Sequence, residues 1–203
     1  LEFLELLVDQ EAIYSSGNDP YLNTHPITSS RVDFVRNHLS NSKFTQESLP
    51  RQFDVMHRRM RGKLNGFIDP PERTLKSYGP EDRGAEALYA RAVAHMRQNN
   101  VDQAIANANR LLDQSPNDPF YLELKGDILR NAGRIRESIT PYQAAISIVP
   151  WAALIRVNLA QAQLALNDDG FTRDALNNVN AALRYEPKLV QAWHLAATSY
   201  GRL

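Results

Sequence analysis

Any chemistry in this sequence has to come from its five histidines, because it contains no cysteine and none of its serines stands beside a plausible base. The five are followed by Pro26, Leu39, Arg58, Met96 and Leu195. A His-Glu-x-x-His helix sets two imidazoles and a general base on one face to hold and use zinc, and no His-Glu step exists here. His25 stands apart, in the run Thr24-His25-Pro26-Ile27-Thr28-Ser29-Ser30-Arg31 that follows an Asn18-Asp19-Pro20 turn. A neutral imidazole can ligate a metal, but on the residues alone His25 reads as filling a turn before a proline. Arg31 is either the partner of a distant carboxylate or a solvated helix arginine. Asp168-Asp169-Gly170 offers too few oxygens for a calcium loop and reads as an inserted turn.

Charge narrows the partners. The 23 basic and 23 acidic residues cancel, so no net field draws in nucleic acid or an anionic membrane. Arg51, His57, Arg58, Arg59, Arg61 and Lys63 form a short basic cluster. It lies on an amphipathic helix and reads as a solvated or protein-facing surface, not a phosphate track. No apolar run approaches the ~20 residues of a membrane span, and no signal-peptide pattern is present. The chain opens on Leu1 and reads as a piece of a longer protein.

The elements that must carry these residues are helical. Pro116, Pro150 and Pro187 each close an amphipathic helix pair; the first interval is 34 residues and the second 37. On that register Ala92, Gly126, Ala160 and Ala197 fall where two helices approach closely. Ala104, Ser138 and Ala175 form a second small position, Leu111, Ala145 and Ala182 a third, and Leu112, Ile146 and Leu183 follow as apolar residues. Gly133 marks a turn inside the best-formed unit. This pattern resembles the tetratricopeptide repeat (TPR) family, with one repeat carrying a three-residue insertion. The resemblance implies an all-α helical-hairpin solenoid of three repeats plus the first helix of a fourth, over residues 84–203.

Upstream, helical spacing of apolar residues predicts helices over Leu1 to about Tyr14, Ser30 to Leu39, and Arg51 to Phe67. The last carries the stripe Phe53, Met56, Met60, Leu64 and Phe67 and is weakened by Gly62 and Gly66. Asp69-Pro70-Pro71 stops it, and the stretch to Arg83 reads as extended. Three segments result: 1–40, a linker over 41–83, and the array.

The order of these segments, with the Thr24-His25-Pro26 run at its head, resembles the C-terminal region of BepA-like periplasmic zinc metallopeptidases, gluzincins related to the CAAX prenyl proteases. The resemblance implies that residues 1–40 are the tail of a peptidase domain that docks in cis, and that the parent holds zinc. It also implies a location in the periplasm or cell envelope. His25 is implied as a loop ligand or regulator of that zinc. With no His-Glu-x-x-His in this chain, no catalytic residue and no cofactor is expected within it. The competing reading is a free-standing TPR adaptor with no enzymatic parent.

In either reading the partners are protein or peptide clients, held on the concave face lined by the first helix of each repeat. Counting along the repeats places Glu86, Tyr89, Val93 and Met96 there from the first, and Phe120, Glu123, Asp127 and Arg130 from the second. Leu154, Val157, Gln161 and Leu164 come from the third. The lysine and asparagine clamp by which cytosolic chaperone-binding TPRs hold a terminal carboxylate is absent, since its fifth positions are Tyr89, Glu123 and Val157. A mixed apolar and polar face suits unfolded or partly folded client segments.

Overall fold

The computed structural model describes residues 5, 28–44 and 50–203. They fall into two compact units, Leu1–Pro50 and Arg51–Leu203. The predicted helix over Leu1 to Tyr14 and the His25 loop lie outside the described residues, Glu5 excepted. In the first unit, α1 (Thr28–Asn41) extends the expected helix by two residues at each end. Val32 is its buried residue, and Arg36 pairs with Glu5 at 2.8 Å.

The second unit holds α2 (Arg51–Ile68), α3 (Pro71–Ser77), α4 (Ala85–Arg97), α5 (Val101–Gln114), α6 (Pro119–Asn131), α7 (Ile135–Ile148), α8 (Ala153–Ala165), α9 (Asp169–Tyr185) and α10 (Val190–Arg202). No strand occurs among the described residues, and none of their helices is long and apolar enough to cross a membrane. The helices α4 to α9 form three hairpins, and α10 begins a fourth unit, which gives the expected TPR-type solenoid. Each hairpin turns through a residue in the left-handed region: Asn99 at φ 59°, Gly133 at φ 75° and Asn167 at φ 51°. Asparagine tolerates that region better than other side chains. After the first two turns, Asn100 and Arg134 donate their N–H groups five residues back, to His95 and Leu129, which closes the helix end as a Schellman motif does.

The small positions are small because helices touch there. Ala92, Ala104, Ala160, Ala175, Ser138, Leu111, Ala145 and Ala182 have no accessible surface. A Cβ on Gly126 would lie 2.6 Å from the Tyr142 ring. Ala197 departs from this set: it is exposed, and among the described residues no second helix packs on α10 as α5, α7 and α9 pack on their partners. The cores bridge repeats. Leu88, Ala92, Leu111, Leu124 and Ile128 join the first hairpin to α6; Tyr142, Ala145, Ile155 and Leu159 join α7 to α8; Ala160, Val179, Ala182 and Leu195 join the third hairpin to α10. A repeat that buries its face only against its neighbour is the physical basis of a solenoid.

Three expectations are corrected. Asp168-Asp169-Gly170 is not an inserted turn. Asp168 caps α9, its carboxylate accepting the Phe171 N–H at 3.1 Å, and the extra residues lengthen the helix, which has 17 residues against 14 in α5 and α7. The stretch after Pro70 is not all extended: Pro71 opens α3 from the first helical position, where a missing N–H costs nothing. Finally, Gly62 and Gly66 do more than weaken α2. They are its buried residues, and a Cβ would stand 2.5 Å from the Glu86 carbonyl oxygen at Gly62 and 2.8 Å from Val93 Cβ at Gly66. The backbone of α2 therefore lies directly on α4, and Phe53, Met56, Met60, Leu64 and Phe67 of its apolar stripe all stay exposed.

The contact is held by backbone acceptors. Arg97 donates to the carbonyls of Gly66 and Asp69. Buried Arg91 donates to the carbonyls of Tyr78, Gly79 and Asp82 and to Asn107. Tyr78 accepts from Asn65 and donates to Glu86, both at 2.7 Å. These bonds fasten α2, α3 and the following loop to the first repeat as one body.

Candidate protein-interaction groove

On α6, Phe120, Glu123, Asp127 and Arg130 recur at helical spacing and share one face. The turn before α6 fixes where that face begins. Asp118 Oδ1 accepts the N–H groups of Phe120 and Tyr121 at 2.9 and 3.3 Å, while its Oδ2 receives Arg59 of α2 at 2.6 Å. The Arg59 guanidinium then lies over the Phe120 ring, 4.8 Å from its centroid, a cation–π arrangement. Between α2, α4 and α6 opens a cavity of about 290 Å³, lined by Met56, Arg59, Met60, Lys63, Tyr89 and Phe120. Its wall is mostly apolar.

Next to it stands a polar network. Tyr142 donates to Asp127 at 2.6 Å and accepts from Arg130 Nε at 3.1 Å. Arg130 also reaches Gln161 at 3.3 Å. Asp127 thus has a hydroxyl and a guanidinium, which hold its carboxyl down against the larger upward push of burial. Glu123 is less well served. Its bond is from Asn158 Nδ2 at 3.4 Å, and among the described residues no basic group lies within 4.0 Å of it. Burial first, then the charge of Asp127, pushes the Glu123 carboxyl up to about 7; Lys63 and the Asn158 bond pull the other way. Burial also pushes Tyr89 up, with Glu123 and Asp127 adding to it.

The twelve expected groove positions divide by burial. Phe120 and Leu154 are exposed, and Glu86, Met96, Glu123, Asp127, Arg130 and Gln161 are half-buried. Tyr89, Val93, Val157 and Leu164 are buried. Val93 lies beneath Gly66 of α2, and Val157 and Leu164 belong to the core shared with α9 and α10. Side chains buried to that extent offer a ligand no surface; Tyr89 still contributes to the cavity wall. Sequence spacing missed Met56, Arg59, Met60, Lys63 and Asn158. The first four were visible only as a basic cluster and an apolar stripe, and nothing local says that α2 folds back onto α4 and α6.

The resemblance implies zinc in a parent enzyme; among the described residues no three His, Asp or Glu side chains converge as a ligand set, and His25 lies outside them.

Comparison with known proteins agrees with this architecture. Residues 72–119 match the tetratricopeptide repeat model. The chain is 28% identical over 206 residues, 99% of its length, to the Beta-barrel assembly-enhancing protease of Escherichia coli (strain K12), and equally to that of Shigella flexneri. It spans 41% of the length of those relatives. Among solved structures, MamA aligns with a TM-score of 0.56 at 15% identity, covering 73% of this chain and 86% of MamA. YrrB, described as a TPR protein with an unusual peptide-binding site, aligns with a TM-score of 0.55 at 16% identity, covering 83% of this chain and 82% of YrrB. The repeat match is confined to residues 72–119, and the fold is that of the aligned TPR structure.

Proposed function

We propose that this chain is the non-catalytic C-terminal portion of a zinc-dependent metalloendopeptidase of the cell envelope. Its groove recruits polypeptide substrates or assembly partners for proteolysis or quality control. The observation that carries the reading is the end-to-end match to the Beta-barrel assembly-enhancing protease, 99% of this chain. That match takes in the Thr24-His25-Pro26 region and the linker helix as well as the repeats, whereas likeness in repeats alone would stop near Gly84. The apolar cavity beside a polar network is the kind of surface that accepts extended polypeptide with little sequence demand. In the parent, residues 1–40 complete the peptidase domain in cis, and His25 reaches the zinc from its loop in a resting state.

The test has two arms. The purified chain should retain no stoichiometric zinc after dialysis and cleave no casein, yet should bind reduced, carboxymethylated lactalbumin, a permanently unfolded polypeptide, in preference to the folded protein. Failure to bind the unfolded chain removes the recruiting role. The enzymatic parentage is tested by the reading frame upstream of Leu1: a His-Glu-x-x-His sequence supports it, while further repeats there favour the free-standing adaptor.

A further inference from the structure

Two features of the groove lie one helical turn apart on α6 and ask for different chemistry. Phe120 closes the apolar cavity against Met56 and Met60. Glu123, three residues on, is a half-buried carboxylate whose bonded partner is the Asn158 amide at 3.4 Å. An unpaired carboxylate removed from water gains much from an incoming cation, because burial has already cost it hydration. Lys63 presents the opposite case. It is exposed and keeps its own water, so an incoming anion offers it little.

We infer that the preferred occupant of this groove is an extended polypeptide segment with a bulky apolar side chain and a basic side chain two residues apart, the first in the Met56–Met60–Phe120 cavity and the second on Glu123. The spacing follows from geometry. Successive turns of a helix are ~5.4 Å apart, two residues of extended chain cover ~6.6 Å, and residues i and i+2 of an extended chain point the same way. Either chain direction satisfies it. The groups facing Glu123 are Lys63 from α2, Tyr89 from α4, Asp127 from its own helix and Asn158 from α8. Asp127 is already held by Tyr142 and Arg130, which leaves Glu123 as the acceptor for the ligand.

This inference rests on the groove's role as a polypeptide site. The probes are fluorescein-labelled eight-residue peptides with a Gly-Ser background carrying Phe-Gly-Lys, Lys-Gly-Phe, Phe-Gly-Glu or Ser-Gly-Lys, titrated with the full chain by fluorescence anisotropy. At least one of the first two should bind about tenfold more tightly than Phe-Gly-Glu and than Ser-Gly-Lys. Glu123→Gln should bring the lysine and glutamate peptides to nearly equal affinity and leave the Phe-over-Ser preference intact. Met60→Ser should do the reverse, so each variant is the folding control for the other. Equal or tighter binding of Phe-Gly-Glu, or a lysine preference that survives Glu123→Gln, overturns the inference. If carboxymethylated lactalbumin binds and the peptides show no charge preference, this inference alone falls; if neither binds, the polypeptide-binding role falls with it.

Discussion

Replacing Glu123 by Gln should make the protein more stable at neutral and alkaline pH, although it removes a charged residue from a groove. Ordinarily this carboxyl titrates at 4.5, and in the folded chain it is pushed up to about 7. The folded state therefore holds the proton more tightly than the unfolded state does. Below pH 4.5 both states are protonated and nothing is lost; as the pH rises toward 7 the folded chain must either keep a proton the solvent would take or bury a charge. Above about pH 7 the cost is complete, about 3 kcal/mol at 1.36 kcal/mol per pH unit. Glutamine keeps the shape and an acceptor for Asn158 and carries no charge at any pH. Urea unfolding of both chains at pH 4.5, 6 and 8 measures the difference, followed by circular dichroism at 222 nm, because Trp151 and Trp193 are 60% and 58% exposed and their emission reports unfolding poorly. The variant should match the wild type at pH 4.5 and exceed it by up to ~3 kcal/mol at pH 8. A gap that does not change with pH, or a variant less stable at pH 8, would show that Lys63 pairs with Glu123 strongly enough to offset its burial.

Three further outcomes follow from packing. Gly126→Leu should lower the melting temperature far more than Arg134→Ala, since a Cβ at 126 would lie 2.6 Å from the Tyr142 ring and overpacking costs about 1–3 kcal/mol; equal melting temperatures would contradict the repeat register. Gly66→Ala should cost a similar ~1–3 kcal/mol by lifting α2 from Val93, and faster proteolysis within residues 51–68 would report it. Asp118→Asn keeps the oxygen that caps α6 and loses the ion pair to Arg59, whereas Asp118→Ala loses both. Thermal melts should place the alanine variant lower by about 1 kcal/mol, the value of an N-cap; coincident melts would mean that the cap contributes nothing.

The solenoid was legible because its determinants repeat. A single buried alanine says little, but Ala104, Ser138 and Ala175 at one register position state a steric limit three times. The turns were only partly legible, since Gly133 announces its left-handed backbone while Asn99 and Asn167 do the same work with a residue common in many other settings. Local propensity misread α3 and the start of α9. Pro71 stands at the first helical position, where its missing N–H is not needed, and Gly170 falls in the first turn of α9, behind the Asp168 cap. Much of the groove was hidden because it is assembled across the sequence: Arg59 meets Asp118, and Lys63 approaches Glu123, only once Gly62 and Gly66 have let α2 settle on α4. Helical spacing finds the face of α6 but not the helix that shades part of α4. For that reason spacing alone does not show that Val93 is covered by Gly66 while Tyr89 keeps a place in the cavity wall.

The claim that polypeptide clients enter beside α2 and α6 is tested most directly by photo-crosslinking. Benzoylphenylalanine placed at position 120, where the native ring is 40% exposed, and at position 60 should crosslink to carboxymethylated lactalbumin. The same probe at Arg134, in the turn between α6 and α7, should not, and unlabelled Phe-Gly-Lys peptide should compete the two groove adducts away. Equal crosslinking from all three positions, or adducts from 134 alone, would contradict a binding site in this groove.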